Sequence, residues 1–215
     1  MSLPLSAIMS AISTKLSAFI FPGLTWKIPT ESNELFLTFD DGPHPVVTPK
    51  VLNILDEYNA KATFFCVGDN VQKHPKVYAE IISRGHLTGN HTYNHVKGWE
   101  TKKTAYLHNV QKCSKLSLPR LFRPPYGRIT PAQIRLLKKT GYHIVMWDVL
   151  TRDYRENSNW KKLLHKALTK TKPGSIIVFH DSEKAAENML YMLPEFLAHF
   201  SGKGYVFNAI DPQRI

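Results

Sequence analysis

The sequence predicts an α/β domain built on parallel strands, and three observations carry that prediction. Seven short apolar runs alternate with stretches of helical periodicity. Turn signals, "KPG" at 172–174 and "GKG" at 202–204, stand directly before two of those runs. The polar residues able to carry chemistry gather at the carboxyl ends of the runs, where loops converge on one mouth in α/β barrels. Periodicity alone leaves an open sheet and a closed barrel both available.

In chain order, the strands are expected at 35–39, 62–67, 86–89, 120–123, 142–147, 175–179 and 204–207. Helices are expected at 47–59, 74–84, 101–115, 130–139, 159–170 and 183–200. Pro131 after Thr130 reads as a first-turn proline behind an N-cap. At 215 residues, one well-buried domain is the natural size. Residues 1–33 are mildly apolar, interrupted by Lys15, with no basic residue ahead of the apolar part. That pattern suits neither a signal peptide nor a membrane span, and predicts an amphipathic extension packed on the domain. Localisation stays open between cytoplasm and cell envelope.

Lys and Arg outnumber Asp and Glu 28 to 17, a formal charge of +11. The basic residues are scattered and no nucleic-acid motif occurs, so the charge reads as a solvated basic surface suited to anionic cell-wall or membrane surfaces. A monomer is expected. Cys66 lies in a strand-like run and Cys113 in a helical one, and neither belongs to a CxxC zinc-thiolate pattern.

The first run ends in "LFLTFDDGPHP", residues 35–45, with Asp40 and Asp41 adjacent. Two neighbouring carboxylates repel unless a positive charge sits beside them, most simply a metal ion. "GNHTYNH" supplies His91 and His95 after the third run; four apart, they would face one way on a helical turn. Arg123 ends the fourth run, Asp148 the fifth and His180 the sixth. Two His and one Asp with open positions suit a catalytic divalent ion, zinc first. Cobalt, nickel and manganese fit the same donors.

"TFDDG" (38–42), "HTYNH" (91–95), "RPPYG" (123–127) and "IIVFHD" (176–181), in that order, resemble the motifs of the polysaccharide deacetylase family, the NodB-homology carbohydrate esterases. The resemblance spans about 34–211, and "ATFFCVG" and "GHLTGNH" add to it. It implies a distorted, TIM-barrel-like (β/α) barrel of about seven parallel strands. It also implies Asp41, His91 and His95 as metal ligands, Asp40 as general base, and Arg123 as the residue holding that base ionised. Tyr126 would lend its backbone N–H to the oxyanion and His180 would be the general acid. Pro125, Tyr154 and Val178 are placed at the substrate, with Trp99 as a sugar-stacking candidate. The implied reaction is metal-dependent removal of N-acetyl groups from an N-acetylated glycan. The alternatives are an O-acetyl esterase of the xylan type on the same site, or a non-catalytic glycan-binding relic.

One stretch departs from the pattern. The family has Asp-x-x-Asp-Trp where "WDVLTRDY" puts Leu150 at the first Asp and Tyr154 at the Trp, with Asp153 matching the second Asp. The resemblance implies that the first Asp orients and tunes the acid histidine, which Leu150 cannot do. Asp148, two residues back on the strand, is then expected either to serve as the partner of His180 or only to cap the strand end. Asn90 is expected to orient the His91 loop, His86 to be structural, His44 to lie in a solvated loop and Trp147 to be core.

Overall fold

The computed structural model describes residues 23–116 and 120–215. The first strand, β1 (Glu34–Asp40), is buried along almost its whole length. After it come α1 (Val47–Glu57), β2 (Ala62–Cys66), α2 (Gly68–Lys73), α3 (Pro75–Ser83), β3 (Leu87–Asn90) and α4 (Lys103–Ser114). The second half holds β4 (Leu121–Phe122), α5 (Pro131–Lys139), β5 (His143–Ile144), β6 (Val149–Leu150), α6 (Trp160–Lys170), β7 (Ile176–His180), α7 (Ala186–Ser201) and β8 (Val206–Phe207). The strands pair in parallel in the order β5-β4-β3-β2-β1-β7-β6, with β8 on the start of β1.

The sheet curls into a partial barrel, and its central strands are apolar on both faces, as strands covered on both sides are. Leu35, Leu37 and Phe39 of β1 point outward and pack with Ile177 and Phe179 of β7 against the helices. Phe36 joins Phe65, Leu121, Val145, Ile176 and Ile210 in the interior. Thr38 and Asp40 follow Phe36 on the same face by the two-residue period. In register with them stand Val178 and His180. The interior is therefore oily at its floor and polar at its mouth.

Two details differ from the expectation. The run at 142–147 makes only the two-residue β5, because the chain then crosses from one strand to another. Val145 N–H still bonds Phe122 O at 2.8 Å, whereas Asp148 N–H bonds Ile176 O at 3.3 Å. Leu150 and Val149 then form β6 against β7. The polar "GDNVQK" of α2 is helical although nothing in its apolar pattern announces it. Thr130 does cap α5, with a full capping box from Gln133.

Residues 1–22 of the expected N-terminal extension lie outside the described residues. Residues 24–28 form an extended strip rather than a helix. Thr25 bridges Val145 and Lys27 bridges Ser175, so the strip spans from β5 to the start of β7. Leu24, Trp26 and Ile28 are all buried there.

Candidate active site

Asp41 lies one residue past β1 with a left-handed backbone, φ 80°. For a residue with a side chain that conformation costs on the order of 1–3 kcal/mol, so the surroundings must impose it. They do: Asn70 Nδ2 donates to Asp41 O at 2.8 Å, and Val67 N–H to Gly42 O at 2.9 Å. His91 and His95 sit on a loop past β3, not on the helical turn their spacing suggested. Thr92 (φ 63°) and His95 (φ 54°) are both left-handed, and the loop folds both imidazoles toward Asp41. Asn90 orients it as expected: its Oδ1 accepts Thr92 N–H at 2.8 Å, while its Nδ2 donates to Val110 O and Ser114 Oγ.

Asp41 Oδ1 is 3.0 Å from His95 Nε2 and 3.7 Å from His91 Nε2. One ligand atom from each of the three residues falls within 4.8 Å of the others. His91 Nδ1 lies 2.9 Å from Arg123 O, so it carries the ring proton and leaves the Nε2 lone pair facing Asp41. Burial lowers the His91 pKa to about 4, which keeps the ring neutral. Burial would raise the Asp41 carboxyl, but the His95 hydrogen bond and the neighbouring imidazoles bring it below its ordinary value. An ionised carboxylate and a neutral imidazole are the forms that bind a cation, so this donor set fits a divalent ion.

Asp40, the neighbouring carboxylate, has different company. Arg123 Nη1 donates to Asp40 Oδ1 at 2.7 Å and to Thr38 Oγ1 at 2.6 Å. The same guanidinium donates to Val145 O and Met146 O, and its carbon lies 4.1 Å from the Phe65 ring centroid. Arg123 is fully buried, and nearly every direction of its fork is used. The ion pair fixes the Asp40 side chain in place beside the Asp41–His91–His95 cluster.

His180 faces the same mouth from β7, as the register partner of Asp40 on the adjacent strand. Its expected partner, Asp148, is not there. Asp148 accepts from Ser175 Oγ at 2.8 Å and Ile176 N–H at 2.8 Å, at the start of β7, four residues before His180. Four residues of strand is about 13 Å, out of reach. The partner is Asp153: Oδ1 is 2.7 Å from His180 Nδ1, and Oδ2 accepts the His180 backbone N–H at 2.8 Å. The loop after β6 turns back at Arg152 (φ 62°) to bring it there. Asn188 of α7 secures that loop by donating to Asp153 O and Arg155 O, both at 2.9 Å. Burial alone would lower the His180 pKa; the Asp153 charge and hydrogen bond prevail and raise it to about 9.

Leu150 is in register with Val178, one step below His180, so both shape the apolar wall under the acid. Tyr154 meets the His180 ring edge-on, with centroids 5.0 Å apart. Tyr126 is exposed, left-handed at φ 59°, and lies 4.7 Å from the His95 ring. Pro125 before it is buried. Trp99 spends its indole N–H on Ile129 O at 3.0 Å, and Arg128 covers a face at 5.5 Å. His44 is a helix-start acceptor rather than a solvated residue: its Nδ1 receives the amides of Val46 and Val47. His86 is buried and structural, accepting Ala62 N–H. Thr38, Asn188 and Asp181 serve this site although no sequence motif assigns them a role, and Asp153, matched to the motif's second Asp, takes the place expected of Asp148; the "HD" of "IIVFHD" is the one sequence sign for Asp181.

Comparison with known proteins agrees with this geometry. Residues 27–145, more than half the chain, match the family described as polysaccharide deacetylase. A peptidoglycan-N-acetylglucosamine deacetylase of Bacillus cereus is 32% identical over 195 residues, covering 87% of this chain and 91% of the relative. A chitooligosaccharide deacetylase of Azorhizobium caulinodans is 35% identical over 166 residues, covering 74% and 79%. A solved peptidoglycan N-acetylglucosamine deacetylase, in complex with 4-naphthalen-1-yl-N-oxidanyl-benzamide, superposes with a TM-score of 0.85 at 30% identity, over 92% of this chain and 95% of that one. With its motifs in order, its donor set converging and its fold shared across nearly its whole length, the chain belongs to the polysaccharide deacetylase family.

Proposed function

We propose that this chain is a metal-dependent N-deacetylase of polymers or oligomers containing N-acetylglucosamine, releasing acetate and a free amino sugar. The observation that carries the reading is the division of labour between adjacent carboxylates. Asp41 faces two imidazoles, while Asp40 is ion-paired to buried Arg123. Asp41, His91 and His95 would hold the ion, zinc by the nature of the donors. When bound, it supplies a water acidic enough to ionise near neutral pH.

Asp40 accepts the proton that water sheds as it attacks the acetyl carbonyl. Arg123 keeps Asp40 aimed, so the base needs no reorientation. The Tyr126 backbone N–H serves the developing oxyanion. His180, protonated because Asp153 supports its charge, gives its proton to the departing sugar nitrogen. Without that proton the amine would have to leave as an anion. Leu150, Val178 and Tyr154 border His180 and offer an apolar seat for the acetyl methyl. The basic surface, at +11 overall, favours anionic wall polymer as the setting, and the chain is expected to act as a monomer.

The deciding test measures acetate release from N-acetylglucosamine oligomers, peptidoglycan and acetylated xylan, with chelator and zinc add-back. Release from the amide substrates that is lost on chelation and restored by zinc is expected. Release from xylan alone would make the chain an O-acetyl esterase. Zinc binding with no release from any substrate would make it a relic.

A further inference from the structure

We infer that Asp181 is a positioning residue whose buried carboxylate holds the Asp40–Asp41–Gly42 turn in shape and thereby sets the affinity for the divalent ion. The inference rests on Asp41 being an ion ligand. Asp181 follows the acid histidine but points away from its chemistry. It is 1% exposed, and both carboxylate oxygens are committed. Oδ1 accepts the Gly42 N–H at 3.0 Å, and Oδ2 accepts the Thr48 hydroxyl at 2.6 Å. Its own backbone N–H donates to Asp40 O at 3.1 Å. One residue on β7's end thus grips the turn on both sides of Asp41.

Thr48 extends the grip. Its Oγ1 accepts His44 N–H at 2.7 Å, and its own N–H donates to His44 O at 3.1 Å. The turn that leaves β1 is therefore tied at Asp40 by the Asp181 backbone, and at Gly42 and His44 by its buried carboxylate and that carboxylate's hydroxyl partner. Asp41, between the ties, has little choice but its left-handed backbone. That backbone is what swings its side chain toward His91 and His95 rather than into line after Asp40.

Gly42 supplies independent support for this fit. A Cβ built there would fall 2.0 Å from Asp181 Oδ2 and 2.4 Å from its Cγ. Gly42 has no left-handed φ, so conformational freedom does not explain it. Space does, since Asp181 occupies the volume a side chain would need. The glycine of "DDG" and the aspartate of "HD" form one device, distant in sequence and locked in space.

The opposite end of the same strand provides a matched control. Asp148 also receives one hydroxyl and one backbone amide, from Ser175 and Ile176, but supports no proposed ligand. If Asp181 merely satisfied buried donors, removing either carboxylate would have the same consequences. The experiment is zinc titration by calorimetry at fixed pH on the whole chain and on Asp181→Ala, Thr48→Val and Asp148→Ala, with folding checked by circular dichroism and thermal melting. Asp181→Ala is expected to weaken zinc binding about 10–100-fold, as loss of a ligand-supporting partner does. Thr48→Val should weaken it by about threefold, and Asp148→Ala should leave it within about twofold. Asp181→Asn, which can still accept from Gly42, should recover part of the loss. Folded Asp181→Ala with zinc affinity within twofold of the unaltered chain would overturn the inference; so would equal losses in Asp181→Ala and Asp148→Ala. If Asp181→Ala does not fold, an unchanged affinity in Thr48→Val overturns it. Failure of the unaltered chain to bind zinc would instead remove the reading of Asp41 as a ligand.

Discussion

His91, fully buried, and His180, mostly buried, face the same mouth, yet they are driven in opposite directions. Burial takes His91 down to about 4, whereas His180 rises to about 9. What differs is the group at Nδ1. His91 donates to a neutral backbone carbonyl, Arg123 O, and His180 meets the carboxylate of Asp153. A carbonyl fixes the tautomer without adding charge, producing a neutral ligand. A carboxylate adds charge and outweighs desolvation, producing an acid. The comparison teaches that burial sets the stakes while the hydrogen-bond partner chooses the protonation state.

The largest effect should come from removing either ring, with different signatures. His91→Ala should abolish stoichiometric zinc binding together with acetate release. His180→Ala should keep the zinc and lose about 10²–10⁴-fold in kcat. Calorimetry beside an acetate assay separates the two. Next, Arg123→Met should leave Asp40 as a buried, unpaired charge and cost about 3–5 kcal/mol of stability, measured by urea unfolding.

Asp153→Asn goes directly at the contrast. An acid must be protonated, so turnover should fall as pH rises through about 9 in the unaltered chain. With Asp153 neutral, only the more distant charges of Asp41 and Asp40 still oppose burial, and the alkaline limb of the pH–rate profile should move down from about 9. Stability follows the same sign. A raised folded-state pKa adds stability that is full below about 6.5 and lost as pH climbs through about 9. Unfolding curves at the two pH values should diverge for the unaltered chain and lie closer together for Asp153→Asn. The smallest effect belongs to Asp148→Asn, which should cost about 1 kcal/mol and leave the alkaline limb where it was. A shifted limb there would restore Asp148 as the partner of His180.

Much of the site was legible because it lies on regular strands. Asp40, Arg123 and His180 end apolar runs, and a two-residue period fixes which way such residues point. The alternation of runs and helical stretches gave the parallel topology for the same reason. What escaped depends on irregular backbone. The pairing of His91 with His95 was foreseen, but the helical turn was wrong, since left-handed Thr92 and His95 replace it. The choice of Asp148 over Asp153 extended strand logic into a region where the strand is two residues long. The loop then doubles back by way of Arg152, which no periodicity registers. Asp181 was hidden by its neighbour: a residue beside a catalytic candidate reads as context, and only the three-dimensional contact with Gly42 gives it a role.

The strip at 24–28 has a practical consequence for anyone making pieces of this molecule. The motif boundaries invite a cut at residue 34, just where β1 begins. Such a cut would unzip a seam. Thr25 exchanges hydrogen bonds with Ile144 and Met146, and Ile28 donates to Gly174. Removing them would bare those backbone groups and leave the hollows filled by Leu24, Trp26 and Ile28 open to solvent. A shortened version should therefore keep everything from residue 23 onward, or expect aggregation along an unprotected edge.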